Sequence, residues 1–221
     1  MRRWVRRGIV VLLLLVAAIA LGLAILYWAS RREPEFYAKA AMTDPSKAAA
    51  ASDEMVRKTT ALASDMRKRG PWRALFTEQQ INGWLAVDLE KNYPGLLPPQ
   101  ISEPRVAIHP DELIVGCRFE NGRIKTVLWI NLNVYLAEPN VVALQIRKVR
   151  AGLVPLPMKN VLDQVSSAAR QFNLHLRWQQ SGSDPVALIA IRPPENEKGK
   201  RLRIESLKLS EKEAYLAGTT Q

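Results

Sequence analysis

Leu113-Ile114-Val115-Gly116-Cys117-Arg118-Phe119-Glu120-Asn121-Gly122-Arg123-Ile124-Lys125-Thr126-Val127-Leu128-Trp129-Ile130 is the stretch that decides the fold. Leu113, Val115, Cys117 and Phe119 alternate with more polar or smaller residues. That period of two is the signature of a strand with one buried face. Asn121-Gly122 is the strongest short hairpin signal, because both residue types tolerate positive φ. Folding the chain there predicts Phe119 opposite Ile124, Cys117 opposite Thr126, Val115 opposite Leu128 and Leu113 opposite Ile130. Both strands then put their apolar residues on one face, as register requires. The second strand continues through Leu132, Val134 and Leu136. A turn at Glu138-Pro139-Asn140 returns the chain through Val142, Leu144 and Ile146, giving an antiparallel meander.

Helices flank the meander. On the N-terminal side Thr77 and Gln80 form a capping box, with Phe76 and Ile81 as a hydrophobic staple. Ile81, Trp84, Leu85 and Leu89 follow at helical spacing, and Leu96-Leu97-Pro98-Pro99 ends the element. Further upstream, Asp44-Pro45 is a helix start whose alanine-rich continuation is expected to reach Arg69 and stop at Gly70. Its apolar stripe is thin, which suggests a partial stalk, and residues 33–42 read as a connector. On the C-terminal side Gly152-Leu153-Val154-Pro155-Leu156-Pro157 interrupts the sheet. Met158, Val161, Leu162, Val165, Ala168, Ala169 and Phe172 then fall on one helical face. Leu174 to Trp178, Val186 to Ile191, Leu202 to Leu209 and Ala214 to Ala217 read as further strands, with a charged loop at Glu195 to Lys200. The expected class is α+β: an N-terminal transmembrane helix, then a long twisted antiparallel sheet with helices packed on its apolar face.

The transmembrane expectation rests on Gly8 to Ser30, 23 positions without a charge. At ~1.5 Å per residue such a helix is about 34 Å long, enough for a hydrocarbon core of ~30 Å. Arg2, Arg3, Arg6 and Arg7 precede it and Arg31 and Arg32 follow, so the positive-inside rule predicts a cytoplasmic N-terminus and an extracytoplasmic, periplasmic domain on an inner (cell) membrane. Tyr27 and Trp28 fall at the headgroup level. A cleaved signal peptide is the competing reading, since Ala18-Ile19-Ala20 matches a cleavage site, but the apolar run continues past it through Leu26. The implied organisation is a tip and anchor over 1–32, a connector and stalk helix over 33–70, and a domain over 71–221.

The net charge of +11 is partly a matter of topology. Six of the 32 basic residues lie in positions 1–32, leaving 26 against 21 acidic ones in the rest. A single cysteine, Cys117, excludes an intrachain disulfide and reads as a small buried hydrophobe. His109 and His175 lie far apart in sequence, without a metal-ligand spacing, and no nucleophile elbow or phosphate loop occurs. Asp88, Glu90 and Glu103 read as solvated acids. The expectation is a protein without catalysis, metal or cofactor. Basic residues are not interleaved with stacking aromatics, so nucleic acid is not an expected partner.

Two stretches carry a resemblance. Phe76-Thr77-Glu78-Gln79-Gln80-Ile81-Asn82-Gly83-Trp84-Leu85 is similar to the helix start of YpmS-like anchored proteins, and Gly152 to Pro157 resembles the segment that such families place between sheet and helix. The resemblance extends more loosely to LmeA-type and other TULIP-like exported domains. It implies binding of a phospholipid or glycolipid between a curved sheet and its helices. Candidate lining residues are Ile81, Trp84, Leu85, Leu128, Ile130, Leu132, Val134, Leu144, Ile146, Val161, Leu162, Val165 and Phe172. Arg147, Lys148 and Arg150, with Lys198, Lys200, Arg201 and Arg203, are candidates for headgroup contact. Close packing of these faces would leave an ordinary core; a sheet that curves away would leave an acyl-chain cleft gaining ~0.8 kcal/mol per buried CH₂. Gln79 and Asn82 either present amides at a groove mouth or fix the helix to a neighbouring backbone. The competing function is an anchored scaffold that recruits an envelope protein partner and holds no ligand.

Overall fold

The computed structural model describes residues 21–191, apart from 23, 24, 26, 43, 172–174 and 183, together with 202–221. The fold is α+β, with antiparallel sheets and helices packed against them. The helices are α1 (Glu35–Ala41), α2 (Pro45–Met66), α3 (Glu78–Asn92) and α4 (Met158–Gln171). The strands are β1 (Gly70–Thr77), β2 (Ile101–His109), β3 (Glu112–Asn121), β4 (Ile124–Glu138), β5 (Val141–Ala151) and β6 (Val154–Pro155). They are followed by β7 (His175–Ser181), β8 (Asp184–Ala190), β9 (Leu202–Ser210) and β10 (Glu213–Thr220).

The single expected sheet is in fact two. A seven-stranded sheet runs in the order β2-β3-β4-β5-β8-β7 with β6 beside β5, and a three-stranded sheet runs β1-β10-β9. Gly70, expected to stop a helix, opens β1, and β1 pairs with the last strand from Gly70↔Thr220 to Thr77↔Glu213. A partner so distant in sequence leaves no local trace. The connector expected over 33–42 contains α1, whose Tyr37 is fully buried and donates its hydroxyl to the Glu103 carbonyl at 2.7 Å. Gly116 makes room for this helix, since a Cβ there would meet the Phe36 ring at 2.9 Å.

The central hairpin forms with a shifted register. Asn121 pairs with Ile124, so the two turn residues are Gly122 and Arg123. Only Gly122 has positive φ, at 58°, the requirement of a II′ turn with glycine first. Every partner therefore moves two residues along, and Cys117, Val115 and Leu113 face Leu128, Ile130 and Leu132. Because the shift is even, the same residues stay on the same face.

That face carries the core. Ile108, Leu132, Val134 and Ile146 from the large sheet meet Leu209 of β9, with Ile81 of α3 and Met158 and Leu162 of α4 packed around them. The α2 helix lies on α3, burying Ala48, Ala51 and Ser52. Gly83 permits that approach: a Cβ there would lie 2.7 Å from the Ala48 carbonyl oxygen and 2.8 Å from the Ala51 Cβ.

Among the described residues no helix is long and apolar enough to cross a membrane. Most of the apolar run at 8–30 lies outside the described residues, although residues 27–31 are helical.

Candidate functional site

The apolar face of the large sheet is graded. At the β4–β5 turn end Leu132, Val134 and Ile146 are buried, whereas Ile130 and Leu128 nearer the Gly122 turn are only half-buried. Val115, Cys117 and Phe119 on β3, and Val149 on β5, are half-buried beside them. Burial of Cys117 pushes its thiol up to about 11. Leu144, Leu162 and Val165 are half-buried as well, and the Trp178 indole N–H donates to Ser166 Oγ at 2.8 Å, fastening α4 to β7.

The structure divides the predicted lining set. Ile81, Ile130, Leu132, Val134, Leu144, Ile146 and Leu162 meet in the core. Leu128 lies next along the stripe, opposite Cys117 and Ala151. Trp84 instead packs on Tyr93, ring centroids 6.1 Å apart, and Leu85 lines a separate cleft of about 400 Å³ between α3 and the start of β2. The side chain of Val161, and Phe172 as a whole, lie outside the described residues, as do Lys198, Lys200 and Arg201.

The predicted headgroup residues sit on the outer face of the sheet. Lys148 pairs with Asn131 and Arg150 with Trp129, both pointing away from the apolar stripe. Arg147 is the extra residue of a bulge and donates to Asp184 at 2.9 Å. Arg147 and Lys148 open on a cleft of about 420 Å³ with Asn131 and Glu112, while the Arg150 guanidinium lies 5.6 Å from the Trp129 ring. Arg203, on β9, is exposed and lies 3.8 Å from Glu205.

Helix α3 closes the free edge of β2. Asn82 Nδ2 donates to the Val106 carbonyl and its Oδ1 accepts from the Val106 N–H, both at 2.8 Å. One turn earlier Glu78 Oε2 accepts from the Ile108 N–H at 2.8 Å, and the Ile108 carbonyl accepts from the Lys212 N–H at 2.9 Å. A side-chain amide thus mimics a strand, which settles Asn82 as the anchor of its helix to a neighbouring backbone. The capping box of Thr77 and Gln80 is formed in both directions. Gln79 lines a cleft of about 730 Å³ with Phe36, His109 and Glu211 beside this latch. His109 Nδ1 is 3.3 Å from Glu211, His175 is exposed at the start of β7, and Asp88 accepts from Ser52 and Asn92.

Sequence reasoning missed the contact between the N-terminal helical segment and the sheet. The Leu153 N–H donates to the Ala29 carbonyl at 3.0 Å, and the Thr126 hydroxyl donates to the Ser30 carbonyl. The Gly152 carbonyl accepts the Trp129 indole N–H at 2.7 Å. The glycine in a proline-rich turn was the available signal; which element required it was not readable. Compared with family models, curated proteins and solved structures, the chain matches none.

Proposed function

We propose that the chain is a membrane-anchored, extracytoplasmic lipid-binding or lipid-handling module that acts without catalysis. In this reading the apolar run at 8–30 spans an inner (cell) membrane once, with residues 33–221 on the periplasmic side. The observation that carries it is the graded apolar face. Its buried half gives the domain a core, and its half-buried end, at Leu128 and Ile130, lies toward the same sheet end that holds residues 29 and 30. An acyl chain leaving the bilayer beside the anchor and seated on this stripe would gain ~0.8 kcal/mol per buried CH₂. The resemblance to YpmS-like and LmeA-type domains agrees with this reading. Of the basic residues expected to meet headgroups, Arg150 lies nearest the anchor, through its ring partner Trp129, which donates to Gly152, but on the face opposite the stripe; Arg147 and Lys148 lie farther along β5.

The test is native mass spectrometry on residues 33–221, purified without the apolar segment. A phospholipid or glycolipid bound to the wild type and lost in a still-folded Ile130→Asp variant supports the reading. Protein that is consistently empty removes it. The second reading, an anchored scaffold for an envelope protein, is favoured by the filled part of the core, where Leu132, Val134 and Ile146 are closed over by Leu209 and Met158.

A further inference from the structure

We propose that the end of the domain carrying the Gly122–Arg123 and Gly152–Leu153 turns lies flat against an anionic phospholipid bilayer, held there by the last turn of the N-terminal helix; this rests on reading residues 8–30 as a membrane span.

A helix leaves its last four carbonyls without intrahelical partners. Here the domain supplies partners for two of them. Ala29 and Ser30 accept from the Leu153 N–H and the Thr126 hydroxyl, and the Arg31 guanidinium donates to the Arg123 carbonyl at 3.5 Å. Gly152 is required twice over at this junction. Its φ is +57°, and a Cβ would fall 2.4 Å from the Ser30 carbonyl oxygen and 2.7 Å from that of Ala29. Both obstacles are backbone and cannot swing aside. The helix is therefore docked on the sheet and not joined to it by a free tether.

Docking fixes what faces the bilayer. Residues touching the point where a span emerges lie within a few ångströms of the headgroups. Two large apolar side chains are exposed beside it: Ile124, 60% exposed, two positions from Thr126, and Leu153, 47% exposed, at the docking bond itself. Neither has a role in the core. On the helix, Tyr27 and Trp28 are 56% and 57% exposed, each beneath a guanidinium: Arg31 lies 4.6 Å and Arg32 4.0 Å from the respective ring centroids. Aromatic rings, cations and isolated large apolar side chains together are the composition of a surface seated in the interfacial layer. Arg123 adds a cation at the hairpin tip, matching an anionic leaflet, while Lys125 beside it is paired with Glu120 at 3.0 Å. Among the described residues the other end of β4 makes no such contact with the helix, and 13 residues at ~3.3 Å each place Ala137 about 43 Å along the strand from Ile124.

The test uses the full chain in nanodiscs containing phosphatidylglycerol, in a Cys117→Ala background. An environment-sensitive fluorophore is attached in turn to Ile124→Cys, Leu153→Cys, Ala137→Cys and Trp28→Cys, and brominated lipids serve as quenchers. The expected result is blue-shifted, quenched emission at 124, 153 and 28, and water-like, unquenched emission at 137. Adding Gly152→Val to the 124-labelled chain breaks the docking and reduces quenching there, while circular dichroism shows that the domain stays folded. Quenching at 28 without quenching at 124 and 153 overturns the docked orientation and leaves the span intact. Absence of quenching at all four positions overturns the span and this inference together.

Discussion

Replacing Asn82 by alanine isolates the latch that holds α3 on the edge of β2. The substitution removes two hydrogen bonds of 2.8 Å and orphans both polar groups of Val106, a residue 7% exposed. An unsatisfied buried donor or acceptor costs ~1–3 kcal/mol, so two of them could cost as much as ~6. The cleft of about 730 Å³ lined by Asn82 works against this, because water entering from it can rehydrate part of what is lost. The expected loss is accordingly at the lower limit, ~2 kcal/mol. With a urea m-value of ~2 kcal/mol/M the unfolding midpoint falls by about 1 M, measured by tryptophan fluorescence on the detergent-solubilised chain. Asn82→Asp adds a pH signature. One carboxylate oxygen still accepts from the Val106 N–H, but the other is pressed against the Val106 carbonyl in a buried site. Burial and the facing carbonyl raise the folded-state pKa above the ~3.9 of the unfolded chain and outweigh the single N–H bond, which lowers it. The folded state then holds its proton longer, so this variant is most stable below about pH 3.9 and loses stability as pH rises through the folded value. A midpoint shift under about 0.25 M for Asn82→Ala, equivalent to ~0.5 kcal/mol, would refute the argument that the amide substitutes for a strand.

Two shorter tests probe packing and burial. Gly83→Ala gains ~1 kcal/mol of helix propensity, yet its Cβ would sit 2.7 Å from the Ala48 carbonyl, where overpacking costs ~1–3 kcal/mol; the expected outcome is a lower Tm, and a higher one would show that α2 and α3 have room to spare. Cys117, with its thiol pushed from 9.0 to about 11 by burial, should react with a disulfide reagent at pH 8 about 100-fold more slowly than the same residue in urea, followed by absorbance; equal rates would mean that the thiol is open to water.

Much of the large sheet was legible because its signals are local. The alternation from Leu113 to Phe119, the glycine turn and the long apolar run of β4 each act over a few residues, and a register error of two cannot change a face. The capping box of α3 was legible for the same reason. What escaped notice depends on partners remote in sequence. Trp72 and Phe76 do not announce a strand until β10 lies beside them, and Tyr37 reads as part of a connector until Gly116 offers its ring a place. The candidate lining residues sort the same way. Ile81, Trp84 and Leu85 share a helical stripe in sequence, but three different surroundings claim them: the core, Tyr93 and the cleft beside β2.

The pairing of β1 with β10 also imposes an order of events on folding. Gly70 is synthesised 150 residues before its partner Thr220. At ~5–20 residues per second, β1 waits roughly 7 to 30 s for the strand that completes its sheet. During that interval Trp72, Leu75 and Phe76 form an unpaired edge of the kind that invites association with other chains. The Lys58 ammonium donates from α2 to the Leu75 carbonyl at 3.1 Å, but that carbonyl points away from β10, so α2 covers only the opposite edge of β1. A nascent chain that stalls before β10 leaves that edge open, and a chaperone holding β1 would protect a junction that the fold completes only at its end.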